Sequence, residues 1–198
     1  MELRPIIFVT LGPAGSNHEL VTRRYLEFHR LERAIVELVP DFDEGVTRVL
    51  DGLADHLVQV AVHPAVARTV GAHLNRLFLV DTFIAPSRDL ALLSRREVER
   101  PRSLGLQPAT RDYVDLSGYC ELVAEPSIVE VAHGLLAGKY DSGITATAYA
   151  QHHPDRLRID AAIGAVQDAW LVYGRERACG GQLLAWFDAP GMARWRAG

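Results

Sequence analysis

Two rhythms of apolar residues alternate along the chain. Short, nearly continuous apolar runs predict strands over residues 6–10, 35–39, 57–62, 77–80, 90–93, 104–106, 121–124, 142–145, 157–159 and 169–173, with 183–187 as a last one. Between these runs, apolar positions return at helical spacing. Residues 16–29 predict a helix opened by Ser16 and Glu19. A second begins at Asp41 and carries Val46, Val49, Leu50 and Leu53 on one side. A third opens at Pro126, with Ser127 and Glu130 at its start and Ile128, Val131, Ala132, Leu135 and Leu136 along its apolar stripe. Ser16 with Glu19 and Ser127 with Glu130 are capping boxes: the serine hydroxyl takes a free amide and the glutamate reaches back. A weaker helical stretch follows Pro108. The run 57–62 is apolar at almost every position, as in a parallel strand buried on both faces. This alternation predicts mostly parallel α/β sheets in two units, residues 1–87 and 88–165, with 166–198 returning to the first and a cleft between them.

Bulk composition narrows the function classes. The 198 residues are 48% hydrophobic and 23% charged, which is ordinary for a globular chain. A net charge of -4 argues against a nucleic-acid partner. Arg88, Arg95, Arg96, Arg100 and Arg102 are interleaved with Glu97 and Glu99, which predicts a solvated face. The apolar runs are too short to span a bilayer, and Met1 to Pro5 shows no secretory pattern, so a cytoplasmic protein is expected. Cys120 and Cys179 are the only cysteines and suggest no disulfide framework. The single lysine, Lys139, lies in a turn, which argues against Schiff-base chemistry. His152 and His153 lack metal-ligand spacing, and no metal is expected.

In parallel α/β sheets ligands sit beyond the carboxyl ends of strands. Five places qualify: the loop from Thr10 to Ser16, His63, Asp81 with Thr82, the turn from Pro108 to Thr110, and Thr145. Two of them lead into helix N-termini, whose free amides and positive dipole end favour anions. Gly12 and Gly15 let the backbone approach a ligand. The loop also fits a plain strand-to-helix turn with no ligand.

The segment Thr10-Leu11-Gly12-Pro13-Ala14-Gly15-Ser16 resembles the strand, glycine-proline loop and helix that open the prephenate dehydratase catalytic domain. Residues 42–53 and 126–150 resemble later helices and strands of that family. The resemblance implies a type II periplasmic-binding-protein-like fold of two lobes. The regulatory ACT domain that often follows in the family is missing from these 198 residues. Two departures stand out. The family's central strand ends in a P-V-E-N-S-type motif, where this chain reads Val62-His63-Pro64-Ala65-Val66. Its T-R-F motif, which supplies the proposed acid, is replaced by Val166-Gln167-Asp168-Ala169-Trp170.

A branch of the family, the prephenate decarboxylases of bacilysin-type and related natural-product pathways, resembles this chain in length, in a histidine near His63, in an Asp-Thr near Asp81 and Thr82, and in a tryptophan as at Trp170. The resemblance implies a homodimeric, cofactor-independent carboxy-lyase. Its expected reaction removes carbon dioxide from prephenate without aromatising the ring. On this reading His63 orients the substrate or supplies the proton. Thr10, Gly15 and Ser16 hold one carboxylate and Arg88 the other. Asp81, Thr82, Thr110, Thr145 and Trp170 complete the substrate site. Each candidate has a plain structural alternative: a backbone-bonded strand-end histidine at His63, an ion pair of Arg88 with Asp89 or Glu97, a turn at Asp81 and Thr82, a core residue at Trp170. Rival functions are a dehydratase with an altered acid, an enzyme acting on another shikimate-derived acid, and a small-acid binding module.

Overall fold

The chain builds two five-stranded sheets, each the centre of one lobe. The computed structural model describes residues 4–186 together with Ala189 and Met192. The first lobe contains β1 (Ile7–Leu11), α1 (Asn17–Phe28), β2 (Ile35–Val39), α2 (Phe42–Leu50), β3 (His56–Val60), α3 (Val66–Gly71) and β4 (Phe78–Pro86). The second contains β5 (Leu90–Arg95), β6 (Ser103–Leu106), a 3-10 turn at Pro108–Tyr113, β7 (Glu121–Ala124), α4 (Ile128–Leu136), β8 (Ser142–Ala146), α5 (Ala148–His152) and β9 (Leu157–Gly164). The chain then returns to the first sheet as β10 (Gln167–Gly174). Strand order is β2-β1-β3-β10-β4 in one sheet and β7-β6-β8-β5-β9 in the other.

The sheets are mixed rather than mostly parallel. β1 runs parallel to β2 and β3, and β6 to β7 and β8. β10 is antiparallel to β3 and β4, and β5 to β8 and β9. The crossing between lobes requires this. β1, β3 and β4 all end at the cleft, so a chain returning from the second lobe enters its sheet from the cleft and must run the opposite way.

Side-chain alternation along β1 and β3 divides the first core in two. Val9 and Leu57 face α2, with Phe42, Val46 and Val49. Phe8 and Val58 face α1, with Val21, Leu26 and Trp170. Both predicted serine caps start helices. The Glu19 amide donates to Ser16 Oγ at 3.2 Å and the Glu130 amide to Ser127 Oγ at 3.1 Å. Glu19 reaches back one residue further than expected, to the Gly15 amide at 2.7 Å. Gly15 has a φ of +82°, the left-handed region that favours glycine.

Two expectations about strands change. The strand predicted over 77–80 continues to Pro86, so Asp81 and Thr82 lie inside β4 rather than at its end. The continuous apolar run stops at Val80, but β4 is an edge strand and needs only one dry face. Beyond Val80 it alternates, with Ala85 buried and Ile84 exposed. Residues 183–186 form no strand, and Leu183 is 90% exposed. Phe187, the end of that predicted strand, lies outside the described residues.

Candidate functional site: the cleft between the lobes

The ends of β1, β3 and β4 and the start of β10 meet the second lobe across a cleft of about 680 Å³, counting its open mouth. The first lobe contributes Leu11, Gly12, Ser16, Asn17, His18, Val60, Val62 and His63. The second contributes Gln107, Thr110, Tyr113, Ser127 and Ile128, and Asp168 and Trp170 of β10 close the floor. The N-termini of α1 and α4 both border this space. In each helix the cap takes the third amide. The first two amides, those of Asn17 and His18 and of Ile128 and Val129, have no acceptor within their own helix. No lysine or arginine is among the described residues lining the cleft, so the starts of α1 and α4 are what it offers an anion.

Of the residues expected to form the site, the structure brings Ser16, His63, Thr110 and Trp170 together here. The rest lie elsewhere. Thr10 is fully buried and its hydroxyl donates to the Val58 carbonyl at 2.9 Å. Thr145, also fully buried, donates to the Ile128 carbonyl at 2.5 Å. Gly15 turns its amide to Glu19 and borders a neighbouring recess instead. Arg88 lies in that recess with Val129, Tyr149 and His152. Its amide donates to Asn17 Oδ1 at 3.0 Å, while Glu97 pairs with Arg95. Asp81 accepts from the Tyr25 hydroxyl at 2.7 Å and Thr82 donates to the Trp170 carbonyl at 3.0 Å, both away from the cleft. Even at the cleft, Ser16 and Thr110 have committed hydroxyls: Ser16 Oγ donates to the Leu11 carbonyl and Thr110 Oγ1 to the Gln107 carbonyl.

His63 Nδ1 accepts the Ala65 amide at 3.1 Å. That bond places the proton of the neutral ring on Nε2. Burial also lowers the pKa of His63, so the neutral form is favoured twice. His63 packs edge-on against Phe42, with centroids 4.8 Å apart. The ring is therefore fixed as a neutral donor.

Three cleft residues were not singled out from the sequence. His18 stands among Phe42, His63 and Trp170, with ring centroids 5.4, 6.2 and 5.2 Å away. Burial, aided by His63, lowers its pKa to about 3. Burial pushes the Asp168 carboxyl up, and Asp168 is the one carboxyl among the described lining residues. Tyr113 faces it from the second lobe, its phenol raised by burial and by the charge of Asp168. A histidine inside a capping box carries no sequence signal of its own. Asp168 did have one, since it occupies the segment where the family motif is replaced.

No family model matches the chain, and no curated protein matches it. Solved structures do. Prephenate dehydratase from Arthrobacter aurescens, in complex with L-Phe, is similar at a TM-score of 0.62 and 20% identity, over 93% of this chain. The fold is the two-lobed, periplasmic-binding-protein-like α/β type of the prephenate dehydratase catalytic domain. This chain spans 64% of that protein's length. The periplasmic VFT2 domain of Bordetella pertussis BvgS is similar at a TM-score of 0.54 and 12% identity, over 86% of this chain and 80% of that one. An ABC transporter protein from Parabacteroides distasonis follows at 0.52 and 16%, over 98% and 69%. Identities this low speak to fold alone.

Proposed function

We propose that the cleft binds prephenate and releases its ring carboxylate as carbon dioxide while the ring hydroxyl stays in place. The product is a dihydro-4-hydroxyphenylpyruvate, made without a cofactor in natural-product biosynthesis. The observation that carries this reading is Asp168, a carboxyl raised by burial in an otherwise uncharged and largely apolar cleft. The upward shift favours the protonated form, which can stand beside a dianion without repelling it and has a proton to give. In the reaction the bond between ring carbon and carboxylate breaks and its electron pair enters the ring. A ring carbon then takes the proton of Asp168, which solvent restores. The leaving carboxylate becomes neutral, so walls such as Leu11, Val60, Val62 and Ile128 favour its departure over its retention. The amides at the start of α1 hold the pyruvyl carboxylate, and Nε2 of His63 orients the substrate.

The test is incubation with prephenate, following ultraviolet spectra and carbon dioxide together. Carbon dioxide without an aromatic product is the expected result. Phenylpyruvate would make the protein a dehydratase with Asp168 as its altered acid. Ligand binding without turnover would make it a small-acid binding module. Among the described residues no helix is long and apolar enough to cross a membrane. We infer a cytoplasmic enzyme from the sequence of its first residues and, by family resemblance, a homodimer, which sedimentation at micromolar concentration tests.

A further inference from the structure

Two buried polar atoms of residues that line the cleft have no hydrogen-bond partner: Nε2 of His18 and Nε1 of Trp170. His18 is 9% exposed and Trp170 1%. Most buried polar atoms in folded proteins are paired, and each orphan costs free energy. Both residues line the same cleft, and their rings meet edge-on with centroids 5.2 Å apart. A single small polar group that reached both atoms would satisfy both.

The chemistry of the two atoms restricts that group. An indole N–H only donates, so the group must accept. The His18 ring is neutral, so one of its nitrogens is a bare acceptor. Phe42 and Val60 surround the spot with apolar surface, where a full charge would be costly. The free amides of Asn17 and His18 nearby already suit a carboxylate. A neutral hydroxyl both accepts and donates. We propose that His18 and Trp170 form a hydroxyl-binding subsite, in which the ligand oxygen accepts from Trp170 Nε1 and donates to His18 Nε2.

Under the prephenate reading, on which the identity of the ligand but not of the subsite rests, the group held is the ring hydroxyl. This gives a reason for its retention. A hydroxyl that donates its proton to a neutral imidazole is not being protonated, and an unprotonated hydroxyl is a poor leaving group. His18 and Trp170 are positioning residues here, since neither transfers a proton.

The experiment compares two ligands that differ only in a hydroxyl, 4-hydroxyphenylpyruvate and phenylpyruvate, by calorimetric titration of the full chain. Wild-type protein should bind the hydroxylated compound at least about tenfold more tightly. Trp170→Phe and His18→Leu should each cut that preference, taken as the ratio of the two affinities within the same variant, to under about threefold. Equal binding of the two compounds to wild-type protein, or binding of neither, overturns the subsite, and this needs no variant to fold. Turnover of prephenate is scored separately. A hydroxyl preference without carbon dioxide release leaves the subsite standing and removes the proposed reaction. Carbon dioxide release without a preference does the reverse.

Discussion

At the scale of single residues, burial pushes the ionisable groups of the cleft toward their uncharged forms. Asp168 is raised, His18 and His63 are lowered, and burial is the first cause of all three shifts. Each has a measurable consequence. If Asp168 is the acid, Asp168→Asn should lower turnover of prephenate by about 10²- to 10⁴-fold with the far-ultraviolet spectrum unchanged. The wild-type rate should fall as pH rises through the raised carboxyl, and a pH profile in which the variant keeps that limb would remove Asp168 from the role. His63→Gln should lower kcat/KM by roughly tenfold or more, through loss of an oriented donor. Undiminished turnover would end the assignment of His63. His18 speaks to stability. Its folded pKa of about 3 lies below the ordinary 6.5, so the unfolded chain binds the extra proton in between. Stability is therefore full above 6.5 and declines as pH falls toward 3, by up to about 1.4 kcal/mol per pH unit. Urea titrations at pH 7 and pH 5 should show this loss in wild-type protein and a smaller loss in His18→Leu.

At the scale of elements, close packing decides more than propensity does. Tyr140 is 1% exposed, and its hydroxyl donates to the Val131 carbonyl at 2.8 Å. The ring lies between β6 and α4, where a Cβ on Gly105 would stand 2.2 Å from Cζ and one on Gly134 2.3 Å from the hydroxyl. Gly105→Ala should therefore cost about 1–3 kcal/mol, read as a lower urea midpoint at unchanged slope. Unaltered stability would mean that Tyr140 can leave its slot. The two serine caps were legible in the sequence because capping is local: hydroxyl and amide lie three residues apart. The strand β10 was legible as a strand but not in its direction. Apolar periodicity is the same for parallel and antiparallel neighbours, and direction is set by where the chain re-enters the sheet. Asp81 and Thr82 misled for a related reason: an apolar run ends where one face meets water, and β4 goes on for six residues past Val80. His18 was illegible because the rings that bury it, Phe42 and Trp170, come from distant parts of the chain.

At the scale of the molecule, two short segments join the two lobes, and any hinge between the lobes would have to bend there. The first crossing lies between β4 and β5, the second between β9 and β10. They are tied to each other. The Ser87 amide donates to the Val166 carbonyl at 2.8 Å, and Ser87 Oγ accepts the Val166 amide at 3.0 Å. The Arg88 amide donates to Asn17 Oδ1, so the hinge is also tied to the first turn of α1. Opening the lobes by bending here would strain those bonds, whereas the ladders inside each sheet would move as units. A ligand touching both lobes, with His18, Asp168 and Trp170 on one side and Thr110, Tyr113 and Ile128 on the other, favours the closed arrangement. Saturating 4-hydroxyphenylpyruvate should therefore slow hydrogen exchange at the Ser87 and Val166 amides more than at amides within β1 and β8. Uniform slowing would instead be stabilisation of the whole fold by mass action, with no hinge motion opposed by the ligand. Ser87→Ala removes the acceptor of the Val166 amide together with the donor to the Arg88 carbonyl. It should speed exchange at Val166 in the free protein and leave β8 unchanged, which separates loosening of the hinge from loosening of the lobe.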